Sequence, residues 1–391
     1  MSGLPIYLDY NATTPCDQKV LDAMLPYFTH KFGNAASRSH AYGWEAEEAV
    51  KFAREQVAAL INAIPEEIVF TSGATESANL ALKGVFEMYG AKGKHLIVAA
   101  TEHKAVMDTA LHLERLGAEI SWLGVNADGL INLQELEGAI RTDTLLIAVM
   151  YANNETGVVQ PIRRIGEIAK RHQVLFFSDA TQAIGKVSVD VIRDHIDVMA
   201  FSAHKIYGPK GVGALYVRRK QPRVRLSAQM DGGGHERGFR SGTLNVPGIV
   251  GFGKAAAICL EKMEPEARRQ EALRNKLEAG LLNIEGTVLN GGSKSRLPQT
   301  INVSFRGIEG NSLIAGINKE IAVSSGSACT SALPEPSHVL KAMGLDDELA
   351  NSALRFALGR ETTEKEIDFV IDRIGSVVKQ FREKQLENFN I

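Results

Sequence analysis

The sequence predicts an α/β protein, with a large domain on a mostly parallel seven-stranded sheet and a smaller α+β domain. Three observations carry this expectation. From about Glu67 onward, short runs that are apolar throughout recur along the chain, and such a strand is one covered on both faces. Helix-period stretches separate most of these runs, the alternation of a parallel sheet with crossover helices. After about Gly251 the strict alternation stops, which is the texture of an α+β unit.

Taken in chain order, residues 17–64 read as loop and helices, with 33–43 too polar and glycine-punctuated for regular structure. Strands of the large sheet are expected at 68–71, 96–99, 120–123, 145–150, 174–178, 198–201 and 213–217. Helices are expected between them at 75–89, 104–116, 133–141 and 162–171. A long charged helix follows at 256–282, then strands near 300–305, 321–324 and 353–358, and a final charged helix at 363–384. The large domain is placed at 16–255. The small domain takes 1–15 and 256–391, with a mobile cysteine-bearing loop at about 324–335.

Composition narrows the function. The 44 Lys and Arg against 46 Asp and Glu give a net charge of −2, so no global cationic field exists to hold nucleic acid or an anionic membrane. No apolar run approaches the roughly 20 residues that span a bilayer, and residues 1–10 lack a basic-then-apolar leader. Cys16, Cys259 and Cys329 lie far apart with no CxxC pair. That argues against a disulfide framework or a closed zinc site and suits a reducing cytoplasm.

Four strand ends carry polar, non-repeating side chains. Thr71-Ser72-Gly73-Ala74-Thr75-Glu76-Ser77 follows a strand and opens a helix, where backbone N–H groups and the helix dipole favour an anion. Ser72, Thr75 and Ser77 offer hydroxyls; the alternative is an ordinary helix cap by Ser72 or Thr75. Ser178-Asp179-Ala180-Thr181-Gln182 ends one strand and Ser202-Ala203-His204-Lys205 the next. In a parallel sheet both lie on the carboxyl edge, where open α/β folds bind ligands. An Asp there can hold a pyridinium nitrogen protonated, and a Lys can bond an aldehyde; the alternative is a structural ion pair. Glu102-His103 adds a titratable ring that could stack on a cofactor or move protons, or a satisfied structural histidine. Asn153-Asn154-Glu155-Thr156-Gly157 is a ligand loop or a turn. The small polar stretch Ser324–Ser331 centres on Cys329, and a thiol in such a setting is reactive rather than structural. Cys259, in an apolar helical stretch, reads as packing. Arg240, Ser241, Thr243 and Arg355 are further anion-binding candidates.

Together these residues resemble the cysteine desulfurases of the IscS/NifS type, group I, which are pyridoxal 5'-phosphate enzymes of the class V aminotransferase family. The resemblance covers nearly the whole chain, through 8–15, 32–40, 70–79, 101–104, 153–157, 178–182, 201–211, 232–243 and 324–331. It implies the pyridoxal-phosphate transferase fold (fold type I) and conversion of L-cysteine to L-alanine. Lys205 then carries the cofactor aldehyde and moves the α-proton. Asp179 pairs with the ring nitrogen, Gln182 with the ring hydroxyl, and His103 stacks on the ring. Ala74, Thr75, Ser202 and His204 hold the phosphate, joined by Thr243 from a second subunit of a homodimer. Asn154 lies beside the substrate, Arg355 grips its carboxylate, and Asn34 is nearby. Cys329 takes the sulfur as a persulfide for acceptors in iron–sulfur assembly or tRNA thiolation. A thiolate or persulfide there is also an iron ligand, which would let Cys329 share a transient cluster with a scaffold protein.

The expectation excludes direct nucleic-acid or membrane partners. A transaminase needs no thiol, whereas selenocysteine would fit the same site. Two departures from the family pattern stand out. Ala203 replaces a glycine common in the lysine motif, and the chain closes at Ile391 without the longer tail through which housekeeping members dock a scaffold.

Overall fold

The computed structural model describes residues 3–292, 294–325 and 336–389. The strands among the described residues are β1 (Ile6–Tyr7), β2 (Ile68–Thr71), β3 (His95–Ala99), β4 (Glu119–Leu123), β5 (Thr144–Ala148), β6 (Leu175–Asp179), β7 (Val198–Ser202), β8 (Gly213–Val217), β9 (Thr287–Asn290), β10 (Thr300–Phe305), β11 (Ile321–Ala322) and β12 (Ala353–Ala357). Strands β2 to β8 form one seven-stranded sheet in the order β2-β8-β7-β6-β5-β3-β4. The pairs β4/β3, β3/β5, β5/β6 and β6/β7 are parallel, while β8 runs antiparallel to both β7 and β2. Reversal of β8 alone therefore leaves six strands pointing the same way. Their carboxyl ends share one edge of the sheet, as the sequence reading requires.

The apolar runs become strands because both faces are covered. One face buries Phe70, Ile97, Ile147, Phe176, Met199 and Phe201, the other Val69, Leu96, Leu146, Phe177, Val198 and Leu215. The helix Ile162–His172 illustrates the complementary rule. Its buried Ile162, Ile165, Ile168 and Ala169 recur at helical spacing, and Gln173 ends it in the left-handed region at φ 58°.

A second core gathers Leu8, Leu277, Leu281, Ile301, Phe305, Ile321, Phe356, Ile367 and Ile374. It lies under the antiparallel sheet β12-β10-β9 and the parallel pair β1/β11. The N-terminal strand is thus bolted onto the C-terminal core, and the next residues, Asn11 to Thr14, cross to the large sheet. Thr14 accepts the Tyr207 N–H on its hydroxyl and donates to the His204 carbonyl, both at 2.9 Å.

Several boundaries differ from the sequence reading. The long helix runs Val246–Leu282, starting ten residues before the expected 256. Its first turns hold Gly248, Gly251 and Gly253, which read as helix-breaking. They are tolerated because other elements approach closely: a Cβ on Gly253 would lie 2.6 Å from the Ala53 Cα, and one on Gly251 would lie 2.5 Å from the Met24 sulfur. Asn245 caps this start by accepting the Gly248 N–H at 3.1 Å. The helix supplies Ile249, Phe252 and Ala256 to the first core and Leu277 and Leu281 to the second. Strand β9 was not expected. It is only four residues long and half-buried, and pairing with β10, with Asn290 donating to Asn302 and Ser304 at 2.8 Å each, makes it a strand. The helix expected at 133–141 ends sooner, as Leu133–Gly138. The stretch 17–64 contains the helices Gln18–Met24, Pro26–Thr29 and Ala41–Ala59. Among the described residues no helix is long and apolar enough to cross a membrane.

Candidate active site

The carboxyl edge of the large sheet opens on a cavity of about 580 Å³. Ten of the residues singled out from the sequence line it: Ala74, Thr75, His103, Asn154, Asp179, Gln182, Ser202, His204, Lys205 and Arg355. They come from the exits of β2, β3, β5, β6 and β7 and, for Arg355, from β12. Asn34 and Thr243 do not line it within one chain; both are exposed, and Asn34 spends its side-chain oxygen on the Ala36 N–H at 2.9 Å. Cys329 lies outside the described residues, as does 326–335 of the expected loop. The same holds for its reading as a shared iron–sulfur ligand; among the described residues no cluster of His, Cys, Asp and Glu could hold a metal.

At the β2 exit the helix Ala74–Tyr89 begins at Gly73 with no side-chain cap. Neither Ser72 nor Thr75 caps it, so its first N–H groups face the cavity without a hydroxyl. Ser77 points away: it is fully buried and its hydroxyl pairs with that of Thr71 at 2.8 Å. The backbone approach is close, since a Cβ on Gly213 would lie 2.6 Å from the Gly73 Cα. His204 faces this end. Its Nδ1 meets the Thr13 hydroxyl at 3.1 Å, and burial beside Lys205 and Lys210 brings its pKa down to about 4. Ala203 is fully buried, and a Cβ on Gly208 would lie 2.9 Å from its methyl. The added methyl group is accommodated by glycine at 208.

Lys205 Nζ donates to the backbone carbonyls of Asn11 and, at 2.7 Å, Ala12. Burial, with the Arg355 charge nearby, lowers its pKa to about 8, so a neutral amine is accessible near physiological pH. The Asn11 carbonyl also accepts from Gln182 Nε2 at 2.9 Å. Asp179 is nearly buried at the end of β6 and accepts the Thr181 N–H at 2.9 Å. Asp179 is the one acidic side chain among the residues lining the cavity, against Lys205, Lys210 and Arg355. Arg355 pairs with Asp9 at 2.7 Å and donates to the Asn154 carbonyl at 3.0 Å, while its Nε is buried without a partner among the described residues. His103 turns its Nδ1 to the Ala105 N–H at 3.1 Å, capping the helix Lys104–Arg115.

A planar anion with a phosphate matches this donor set. The uncapped helix and His204 suit the phosphate, Asp179 suits a protonated ring nitrogen, and the Lys205 amine suits an aldehyde. The Arg355 guanidinium suits a substrate carboxylate.

Residues 6–370 match the family model for aminotransferase class V. The chain belongs to the class V aminotransferases. Over 97% of its length this class V chain is 59% identical to the cysteine desulfurase IscS of Neisseria meningitidis, covering 93% of that protein. The cysteine desulfurase IscS of Anaeromyxobacter dehalogenans is 57% identical, with 97% and 94% covered. A solved NifS-like protein superposes with a TM-score of 0.89 at 38% identity, over 96% of this chain and all of that one. The family's members are pyridoxal-phosphate enzymes, and the expected fold is the one found.

The sequence reading missed several residues that shape the class V site. Asn11 and Ala12 hold Lys205 through backbone carbonyls, which no side-chain motif announces. Lys210 and Met150 line the cavity; the only signal for Lys210 was its place five residues after Lys205. Glu155, in the loop 153–157 already named from the sequence but not among the residues lining the cavity, is buried, accepts the Ser337 hydroxyl at 2.6 Å, and has its pKa pushed up to about 7 by burial. Cys259 is buried as expected for packing, with its thiol pushed up to about 11. Cys16 is exposed.

Proposed function

We propose that the chain is a cysteine desulfurase that converts L-cysteine to L-alanine, with Cys329 taking the sulfur. The observation that carries this reading is the convergence of Lys205, Asp179, His103 and Arg355, from four different strands or strand exits, on one cavity.

Pyridoxal 5'-phosphate, when bound, supplies an aldehyde for the substrate amine and a protonated ring that accepts electrons from the α-carbon. The chain's residues do the rest. Ala74, Thr75, Ser202 and His204 hold the phosphate end, and Asp179 keeps the proton on the ring nitrogen. Gln182 meets the ring hydroxyl and His103 covers the ring. Arg355 holds the substrate carboxylate beside Asn154. The Lys205 amine, with its pKa lowered to about 8, takes and returns the α-proton. The Cys329 thiolate attacks the substrate sulfur. The Cβ–S bond breaks with its electron pair left on carbon, and a proton there completes the methyl group of alanine. Cys329 retains the sulfur as a persulfide.

The persulfide passes to sulfur-acceptor proteins of iron–sulfur assembly or tRNA thiolation, and Cys329 shares a transient cluster with such a scaffold. Thr243, exposed in a single chain, joins the phosphate site across a homodimer in the cytoplasm, and Asn34 lies near the substrate carboxylate. The chain divides into lobes at 16–255 and at 1–15 with 256–391, joined through the helix Val246–Leu282. The reading predicts that purified protein given L-cysteine and a reductant releases alanine and sulfide. Both products should vanish in Cys329→Ala, and Lys205→Ala should lose them together with the visible band of the cofactor. Normal turnover by Cys329→Ala would show that another group takes the sulfur.

A further inference from the structure

Glu102 is a fully enclosed titratable group that the chemistry above leaves unused. It precedes His103 at the exit of β3 and is fully buried. Its Oε1 accepts the Met150 N–H from the exit of β5, and its Oε2 is buried with no hydrogen-bond partner among the described residues. Its backbone carbonyl accepts from His338 Nε2 at 3.0 Å, and the carbonyl of Thr101 accepts from Asn153 at 3.1 Å. The turn that presents His103 is thus tied to the β5 exit twice and to the His338 helix once. Among the described residues the charge acting on the Glu102 carboxyl is the like charge of Asp179, with no cation to offset it.

An ionised carboxylate with one hydrogen bond and no counter-ion is strongly disfavoured in a protein interior. Burial first, then Asp179, pushes this carboxyl well above its ordinary range. We propose that Glu102 is a positioning residue of the desulfurase site that works as an uncharged carboxylic acid, fixing the His103 turn to the β5 exit while leaving Asp179 as the one anion at the cavity. A second carboxylate there would raise the pKa of Asp179 and weaken its hold on a ring proton. Neutrality at Glu102 protects the charge at Asp179. The effect on the ring proton rests on the desulfurase reading; the proton on Glu102 does not.

Wild type, Glu102→Gln and Glu102→Ala separate the possibilities through three measurements. The first is the melting temperature of cofactor-free protein against pH. The ordinary value of this carboxyl is 4.5 and the folded value is higher. Above about pH 5 the unfolded chain therefore releases the proton that the folded chain keeps, and wild type loses stability as pH rises. Glu102→Gln has no such loss. The melting temperature of Glu102→Gln relative to wild type should climb from about pH 5 upward, until the folded carboxyl itself ionises. The second is the induced circular dichroism of the bound cofactor, which reports its orientation. Glu102→Gln should keep the wild-type band and Glu102→Ala should alter it. The third is turnover of L-cysteine. Glu102→Gln should keep the wild-type pH profile, while Glu102→Ala should lose about tenfold or more in kcat with little change in KM.

A melting difference that stays flat or falls with pH would mean that the carboxyl is ionised, and the proposal fails. So it does if Glu102→Gln loses the dichroism band while melting normally, or if Glu102→Ala keeps both band and turnover. Should Glu102→Ala not fold, Glu102→Gln still decides the matter. The melting series reads Glu102 even if wild type does not desulfurate cysteine, so the two readings can fail separately.

Discussion

Arg355 shows how much one side chain carries in this site. Its guanidinium is fixed by Asp9 and by the Asn154 carbonyl, so a planar donor is held ready at the cavity. Lysine would keep the charge but lose the fork. A hydrogen bond to a charged group is worth about 1.5–3 kcal/mol. Arg355→Lys should therefore raise KM for L-cysteine by about tenfold or more, with a smaller change in kcat. Steady-state kinetics on the loaded enzyme measures this, and an unchanged KM would remove Arg355 from the substrate carboxylate. The role of Arg355 was legible only through the family resemblance, because a lone arginine on a strand carries no local signal. Asp179 and Lys205 were legible from the residues themselves, since each ends an apolar strand with a charge. The backbone carbonyls of Asn11 and Ala12 could not be read, because every residue has one.

The long helix Val246–Leu282 is where local propensity misleads most. Its glycines would break an isolated helix, yet they are what allows the helix Ala41–Ala59 to approach it. A side chain at 253 would meet the Ala53 backbone and Cβ within 2.6–2.7 Å. Gly253→Val should force these helices apart and cost about 1–3 kcal/mol, the usual penalty for overpacking. Chemical denaturation measures that cost, and a variant as stable as wild type would show that the contact relaxes freely. The same logic explains the uncapped start of the helix Ala74–Tyr89. A serine or threonine cap at Gly73 would satisfy the helix end internally, and glycine leaves its N–H groups to an anion.

Across the whole molecule, two cores share one helix, and the N-terminal strand β1 is paired with β11 near the other end of the chain. Neither lobe closes without the other, which predicts a single cooperative unfolding transition. Leu277 is fully buried in the second core, so Leu277→Ala should cost about 2–5 kcal/mol. The loss should appear equally in far-ultraviolet circular dichroism and in cofactor fluorescence from the large sheet. Non-coincident transitions would mean that the lobes unfold independently. What the sequence determined by itself was every strand of the large sheet, the helices between them and the residues at the strand ends. Apolar runs and polar ends are local consequences of burial and chain direction, and local pattern records them. Tertiary structure alone decided that β9 is a strand, that the long helix begins at Val246, and that the Asn11 and Ala12 carbonyls meet Lys205. Those outcomes depend on contacts between separate segments of the chain, and no local window of sequence contains both partners of such a contact.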